Sequence, residues 1–248
     1  MQEIYNSILD YVKTLEIIDT HEHLPGKEEH LVQNTDILKE YLLHYFSTDL
    51  VSSGLSREKF NIVVDASKPL MERWEIVEKY WENARYTGYG RAIDNAVREL
   101  YGIERIDRNT IEKANEFFLK ARRDNPYRKV LKEKCKIRTC LVDNMDLDSD
   151  RNYFTPVYRF DSYIFFRNIE QVKQLSREAG IAVTSFDDWL ELAECMIERA
   201  ISRDVVVFKS GLAYERPIYY EKVNYAQAEA AFNKIFNYFH LPNSASRE

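Results

Sequence analysis

Cysteine is scarce in this sequence, and the three cysteines present are not spaced for cross-linking. Cys135, Cys140 and Cys195 are odd in number and form no Cys-x-x-Cys pair, so neither a disulfide framework nor a zinc knuckle is indicated. Long apolar runs are also missing, because no stretch approaches the roughly 20 residues that a transmembrane helix needs. Residues 1–14 are amphipathic and charged, unlike a signal peptide. Together these absences predict a cytoplasmic protein that does not engage a membrane.

An excess of positive charge is absent as well. Lysine and arginine number 35 against 41 aspartates and glutamates, and the formal net charge of −6 argues against nucleic acid as the main partner. Residues 120–138 are locally basic, but acidic residues interrupt them, and the pattern favours a solvated helical face over a phosphate-binding patch. What the sequence does contain is 45% hydrophobic and 31% charged residues, a composition typical of a globular domain.

The most informative stretch is residues 16–25, an apolar β-branched run that ends in a Pro-Gly turn. This pattern predicts a short buried strand followed by a loop. Because side chains alternate along a strand, Asp19, His21 and His23 are expected on one side. Two imidazoles at the end of a strand can form part of a divalent metal site. The alternative is that each histidine is bonded only to water or backbone, and the preceding strand and aspartate favour the metal site.

The run Ile-Ile-Asp-Thr-His-Glu-His-Leu at positions 17–24 resembles the first-strand motif of the amidohydrolase superfamily. That resemblance implies an α/β fold, a (β/α)8 TIM barrel of the metal-dependent hydrolase type. It also implies one or two divalent ions, Zn²⁺ being the first choice, at the carboxyl ends of the strands. In this interpretation His21 and His23 are metal ligands.

The order of elements predicts three parts. Residues 1–24 hold an N-terminal helix and strand 1, residues 25–134 a helical insertion, and residues 135–248 strands 2 to 4 with their helices. The later strands are predicted at 137–144, 153–161 and 204–211, the last a near-continuous apolar run.

Only about four strands of a barrel can be placed, and a complete one needs eight. The first and fourth strands should therefore be open edges that expose the apolar sides of Val205 and Val207. The chain is accordingly expected to be a fragment or a truncated form, with the proton-shuttle aspartate of the superfamily beyond residue 248. Such a chain would be inactive alone and prone to self-association.

Several helix boundaries carry local signals. Gly102 and Gly180 are expected to end helices. Ser185 with Asp188 predicts a capping box, and Asn109 with Glu112 resembles another. Asn224 with Gln227 is expected to open the last helix.

Residues 156–161, Pro-Val-Tyr-Arg-Phe-Asp, resemble the Pro-x-Phe-Arg-x-Asp strand of uronate isomerases, which belong to the same superfamily. Residues 140–144 are similar to the end of another strand of that family. The resemblance implies that Arg159 binds the carboxylate of the substrate, with Asp161 beside it. The alternative is a structural ion pair of Arg159 with Asp161 or Asp143.

The fourth strand departs from the uronate isomerase pattern. Residues 207–217 resemble amidohydrolase-related proteins with a Lys-x-x-x-Ala-Tyr-x-Arg run. In binuclear members of the superfamily a lysine at this place is carboxylated and bridges two metals, which would make Lys209 a metal ligand. Alternatively, Lys209 stays protonated and binds an anionic substrate or an acidic neighbour. Whatever the state of Lys209, Tyr214 and Arg216 either line the mouth of the site or tie down the loop.

Three functions remain open at this point. The first is a metal-dependent hydrolase that acts on a small anionic substrate through a metal-activated water. The second is an aldose–ketose isomerase similar to uronate isomerase. The third is an inactive fragment that lacks part of the site. Apart from a small-molecule substrate, the only partner that the sequence allows for is a second copy in a homo-oligomer.

Overall fold

The computed structural model describes residues 2–31, 33–143, 147–166 and 168–240, with side chains up to residue 236. Asn144, at the predicted end of the second strand, and residues 241–248, predicted to be a loop, lie outside the described residues. The contacts divide the chain into two compact units. We call Met1–Gly26 with Ile137–Glu248 the sheet unit and Lys27–Lys136 the helical unit.

The sheet unit contains both β-strands and α-helices, whereas the regular structure of the helical unit is entirely helical within the described residues. The strands are β1 (Ile17–Glu22), β2 (Ile137–Val142), β3 (Phe154–Arg159) and β4 (Val207–Lys209). The α-helices are α1 (Gln2–Val12), α2 (Ile37–Leu42), α3 (Tyr45–Ser52), α4 (Arg57–Val63), α5 (Leu70–Ala84), α6 (Gly88–Tyr101), α7 (Ile111–Ala121), α8 (Asp161–Ile164), α9 (Ile169–Ala179), α10 (Phe186–Ile201) and α11 (Tyr225–His240). Short 3₁₀ turns occupy Glu28–His30 and Leu212–Tyr214, and Arg128–Lys134 is a π-helix.

The sheet is parallel, and its strands follow the chain in the order β1-β2-β3-β4. Arg159 at the end of β3 pairs with Lys209 at the end of β4. Lys209 Nζ also lies 3.2 Å from His21 Nδ1, on the opposite outer strand. The sheet therefore curls so strongly that the carboxyl ends of β1 and β4 meet, which gives a half-barrel.

The two outer strands are exposed, as expected for open edges. Ile17 and Ile18 of β1 are 47% and 46% exposed, so the prediction of a buried first strand is wrong. The reason is that β1 has only β2 beside it among the described residues. At the other edge Val206 is 72% exposed. Val205 was expected to be exposed and is instead buried against Tyr158 and Ala200.

Two helices of the sheet unit, α10 and α11, pack against each other by aromatic contacts. α10 begins with a capping box between Ser185 and Asp188, as predicted. Its Trp189 is buried and donates from Nε1 to the carbonyl oxygen of Tyr163 at 3.1 Å. Phe232 of α11 packs against the same tryptophan, with ring centroids 6.2 Å apart. This cluster supports the segment that follows β3.

The helical unit has an extensive apolar core of its own. Trp74 and Trp81 of α5 are fully buried, with ring centroids 6.2 Å apart. Trp81 donates from Nε1 to the carbonyl oxygen of Ile106 at 3.1 Å. A buried ion pair between Arg73 and Asp36 joins α5 to the start of α2. Within the described residues, none of the helices has the length and apolar character that crossing a bilayer requires.

Candidate metal centre and anion pocket

Polar side chains from all four strands meet at the carboxyl end of the sheet. His21 lies near the end of β1, Asp143 directly follows β2, and Arg159 and Lys209 end β3 and β4. Since the strands are parallel, their ends lie at the same edge. The prediction that Lys209 and Arg159 share an end of the sheet with His21 is confirmed by their contacts with one another and with Asp143.

The two histidines point their ring nitrogens at each other. Nε2 of His21 lies 2.8 Å from Nε2 of His23, and the rings meet edge to face. The prediction that both rings lie on one side is therefore confirmed. Their role as metal ligands stays a prediction.

Carboxylates next to the histidines hold this segment in place. Asp19 accepts from the backbone N–H of His21 at 3.1 Å. One oxygen of Glu22 accepts from the N–H groups of His23 and Leu24, at 2.7 and 2.9 Å. Burial raises the pKa of Glu22 above its usual value, although these two backbone hydrogen bonds oppose the change. Asp19, Glu22 and Cys140 also lie within 4.8 Å of one another, and the two carboxylates fix the course of the chain through His21 and His23.

The hydrogen bonds determine where each histidine carries its proton. The Lys209 ammonium has only donors, so Nδ1 of His21 must accept from it. The His21 proton is then on Nε2, which donates to Nε2 of His23. Nδ1 of His23 in turn donates to the backbone carbonyl oxygen of Asp143 at 2.9 Å. This last bond leaves the Nε2 lone pair of His23 directed into the site.

Asp143 is the buried charge at the centre of the cluster, with a side chain only 1% exposed. Its carboxylate accepts from Nε and Nη2 of Arg159 at 2.8 and 2.6 Å, and from Nζ of Lys209 at 2.6 Å. Burial alone would raise the pKa of Asp143, but the hydrogen bonds from Arg159 and Lys209 outweigh it and lower the pKa to about 2. The same contact raises the pKa of Arg159. Two of the alternatives left open by the sequence are therefore realised: Arg159 forms an ion pair with Asp143, and Lys209 binds an acidic neighbour.

The donor set fits a divalent cation. One ligand atom from each of His21, His23 and Asp143 lies within 4.8 Å of the others. The bond from His23 Nδ1 to a backbone carbonyl is the kind of support that metal-bound histidines usually have. Two nitrogens about 2.0–2.1 Å from one tetrahedral Zn²⁺ are about 3.3–3.4 Å apart, against the observed 2.8 Å between the two Nε2 atoms. The rings would therefore have to separate by about half an ångström to share one such ion.

Asp143 was not among the sequence-based ligand candidates. Its position directly after an apolar strand was the available signal, because strand ends carry the functional groups of this type of fold. Sequence alone did not show that β2 stands beside β1, which is what brings Asp143 to the histidines.

A cavity of about 250 Å³ opens next to Arg159. Asp161 accepts from the backbone N–H of Gly211 at 2.6 Å through Oδ2. Its other oxygen is buried and has no hydrogen-bond partner among the described residues. The cavity thus places a guanidinium beside the carboxyl group of Asp161, whose second oxygen has almost no surface that a ligand could reach. The remaining lining residues are Ser162, Phe165, Gly211, Leu212, Tyr214 and Glu215.

Tyr214 and Arg216 are placed differently from each other. Tyr214 lines this cavity and is 94% exposed. Arg216 is not among the lining residues, and its guanidinium donates to the backbone carbonyl oxygens of Pro217 and Tyr219 and lies over the ring of Tyr220. Arg216 therefore ties down its own loop, which was the second of the two interpretations offered for it.

Comparison with known proteins supports the fold. No protein-family model and no curated protein sequence matches this chain. Among solved structures, the chain is similar to the crystal structure of uronate isomerase from Thermotoga maritima, with a TM-score of 0.70 over 93% of this chain and 19% identity. It spans 53% of the length of that neighbour. At this identity the likeness concerns the fold, and it places the four parallel strands in a partial TIM barrel.

Proposed function

We propose that this chain forms the metal-binding part of a metal-dependent hydrolase that acts on a small anionic substrate. The observation that carries the proposal is the 2.8 Å approach of the two Nε2 atoms of His21 and His23 at the carboxyl end of a parallel sheet. The Asp19 carboxylate accepts from the backbone N–H of His21, and the backbone carbonyl of Asp143 holds the ring of His23 through Nδ1. In the neutral rings this approach is a hydrogen bond, and loss of the His21 Nε2 proton would leave both Nε2 lone pairs directed at one cation.

The ligands would be the Nε2 atoms of His21 and His23, with the carboxylate of Asp143 beside them. A divalent cation held there, with Zn²⁺ as the first choice, would supply a bound water of lowered pKa and polarise the carbonyl group of the substrate. Arg159 and Lys209 keep Asp143 ionised and oriented, since together they occupy three of its acceptor positions. The carboxylate is thereby positioned at the same place as the two imidazoles.

The contact between Lys209 and His21 would change if His21 bound a cation through Nε2. That atom would give up its proton, and the proton of the neutral ring would move to Nδ1. Nδ1 lies 3.2 Å from Lys209 Nζ, and an ammonium group cannot accept a hydrogen bond. A carboxylated Lys209 could accept it but would lose the ion pair that the ammonium forms with Asp143. The contact with His21 therefore favours carboxylation, whereas the contact with Asp143 favours a protonated lysine.

The substrate would lie in the cavity beside Arg159. Its anionic group would pair with the guanidinium, which has one terminal nitrogen left after binding Asp143. Tyr214 would close the outer side of the cavity.

An aldose–ketose isomerase is the second candidate. It is favoured by the shared fold with the Thermotoga maritima enzyme and by Arg159, whose position suits the carboxylate of a sugar acid. The hydrolase is favoured by the resemblance of residues 207–217 to amidohydrolase-related proteins.

Metal binding provides the first test. Purified protein is freed of metal and titrated with Zn²⁺ by calorimetry, with metal content checked by mass spectrometry. We expect His21→Gln and His23→Gln each to weaken Zn²⁺ affinity by at least about 100-fold. This is the upper end of the loss seen when a residue that only hydrogen-bonds to a metal ligand is replaced. His30→Gln is the matched control, since His30 is an exposed histidine of the helical unit. Equal affinity in all three variants would refute the site.

The two reactions are separated by an activity panel on metal-loaded protein. Amides and esters of small acids test the hydrolase, and hexuronic acids test the isomerase. Mass spectrometry of the intact protein after incubation with bicarbonate detects the carboxyl group on Lys209, with Lys209→Arg as control. Turnover of sugar acids without hydrolysis of any amide or ester would replace the first candidate with the second.

A further inference from the structure

A second cavity lies in the helical unit, where α5 ends and α6 begins. α5 ends at Ala84, and the Thr87 side chain caps α6 by accepting from the N–H of Gly90 at 3.3 Å. A Cβ on Gly90 would lie 2.5 Å from the Cα of Arg85, so a glycine is required for α6 to come this close. The approach sets one face of α6 against the end of α5.

The cavity between these elements is lined mostly by cationic and polar side chains. Its volume is about 470 Å³, within the range of sites for small molecules. Positions 91, 94, 95 and 98 lie on one face of α6, because residues three, four and seven apart are neighbours on a helix. The lining residues are Arg85, Tyr86, Arg91, Asp94, Asn95 and Arg98.

The back wall of the cavity is formed by Arg85, which is fixed in position by ion pairs with two carboxylates. Arg85 is buried and donates to the carboxylate of Asp94 at 2.7 Å and to Glu82 at 3.4 Å. The other oxygen of Asp94 accepts from the backbone N–H of Ile106 at 3.3 Å. Asp94 is therefore bound to Arg85 and to the loop that follows α6. It forms no ion pair with Arg91 or Arg98 at the mouth of the cavity among the described residues.

Positive charge is left over at the mouth. Arg91 is exposed and forms no ion pair with any residue in the described parts of the chain. The guanidinium of Arg98 contacts the side-chain oxygen of Asn95 and lies 3.9 Å from the exposed carboxylate of Glu99, a long contact in solvent. The two arginines are two helical turns apart, about 10 Å along the axis, a span that their long side chains can close around one ligand.

We propose that this cavity binds a small phosphorylated molecule. Its phosphate group would be held by Arg91 and Arg98, because guanidinium groups bind phosphate oxygens through pairs of parallel hydrogen bonds. Arg85 and Asp94 form the rigid wall behind the phosphate. The exposed ring of Tyr86 next to Arg85 provides a surface for the organic part of the ligand.

The test is calorimetric titration of the full chain with pyrophosphate, and with acetate at the same ionic strength for comparison. We expect saturable pyrophosphate binding that Arg91→Gln and Arg98→Gln each weaken about tenfold. Arg57→Gln is the matched control. It removes the same charge from an exposed arginine at the start of α4, outside the cavity. Arg91→Lys keeps the charge without the planar fork, and we expect it to bind less tightly than the wild type.

Each outcome decides the proposal. Absence of pyrophosphate binding would overturn the proposal. An equal loss of pyrophosphate affinity in Arg57→Gln and Arg91→Gln would also overturn it, because it would indicate general attraction between charges. Acetate binding as tight as pyrophosphate would overturn the assignment to phosphate. If Arg91→Gln changes the circular dichroism of the protein, Arg91→Lys takes its place in the same comparison.

Discussion

Replacing Asp143 with asparagine is the sharpest perturbation of the cluster at the end of the sheet. The substitution keeps the shape of the side chain but removes the charge that Arg159 and Lys209 share. Asp143 is 120 residues from His23 in sequence and holds its ring through the backbone carbonyl. The variant therefore tests the electrostatic centre without removing the backbone support of the histidine.

The expected loss can be worked out from the contacts. Three hydrogen bonds between charged groups end on this carboxylate, and each such bond contributes about 1.5–3 kcal/mol. The side chains of Arg159 and Lys209 are 38% and 27% exposed, so water replaces part of what they lose. We expect the free energy of unfolding to fall by about 2–3 kcal/mol. The lowered pKa is in line with this, because a change from 3.8 to about 2 corresponds to roughly 2 kcal/mol.

The sign of the pH dependence follows from the same pKa. The folded value lies below the unfolded one, so the carboxylate stabilises the fold fully above about pH 4, and this contribution is lost as the pH falls toward 2. The test is urea unfolding of metal-free protein, followed by circular dichroism. At pH 7 the free energy of unfolding should be lower for Asp143→Asn than for the wild type, and this difference should become smaller in acid. Asp10→Asn on the exposed face of α1 is the control and should stay within about 0.5 kcal/mol. A difference at pH 7 below that size, or one that does not become smaller in acid, would refute the reasoning.

Two further perturbations test the packing. Gly90→Ala should lower the free energy of unfolding by about 2–4 kcal/mol, because its Cβ would meet the backbone of Arg85. Gly88→Ala is the control, since a Cβ there meets nothing within 4 Å. In the same urea experiment it should be neutral or stabilising by up to about 1 kcal/mol. Equal effects of the two would show that α6 does not approach α5 so closely. Val206→Lys at the exposed edge of β4 should reduce self-association of the chain in sedimentation velocity, since charge on an edge strand opposes pairing. An unchanged sedimentation profile would show that this edge does not take part in self-association.

Local signals predicted the ends of several helices well. Gly102 and Gly180 follow α6 and α9 in the left-handed conformation, and Asn224 and Gln227 cap the start of α11 reciprocally. The expected cap at Asn109 was wrong, because α7 begins two residues later, after Thr110. Asp107 binds the backbone N–H of Asn109, and the backbone N–H of Asp107 donates to the Thr110 hydroxyl. A turn stabilised by these bonds competes with the helix start.

Strand lengths were predicted less well than strand positions. β4 was expected over 204–211 and extends only over Val207–Lys209. Asp204 has a positive φ of 60°, which breaks the extended conformation before the strand. An apolar run predicts that residues are buried, and Val205 is indeed buried. It does not predict whether a neighbouring strand is available to form the backbone hydrogen bonds that a strand also needs.

The sequence predicted that His21 and His23 share a side from the alternation of side chains along a strand, although β1 ends at Glu22 and the His23 ring is held by the backbone carbonyl of Asp143. It also determined the parallel strand pattern and the group of residues at strand ends. Only the tertiary structure decided what those residues contact. Arg159 and Lys209 stand 16 and 66 residues from Asp143 in sequence, and their shared ion pair depends on the order and register of β2, β3 and β4. The curl of the sheet, which brings Lys209 to His21, is a property of all four strands together and has no local signal.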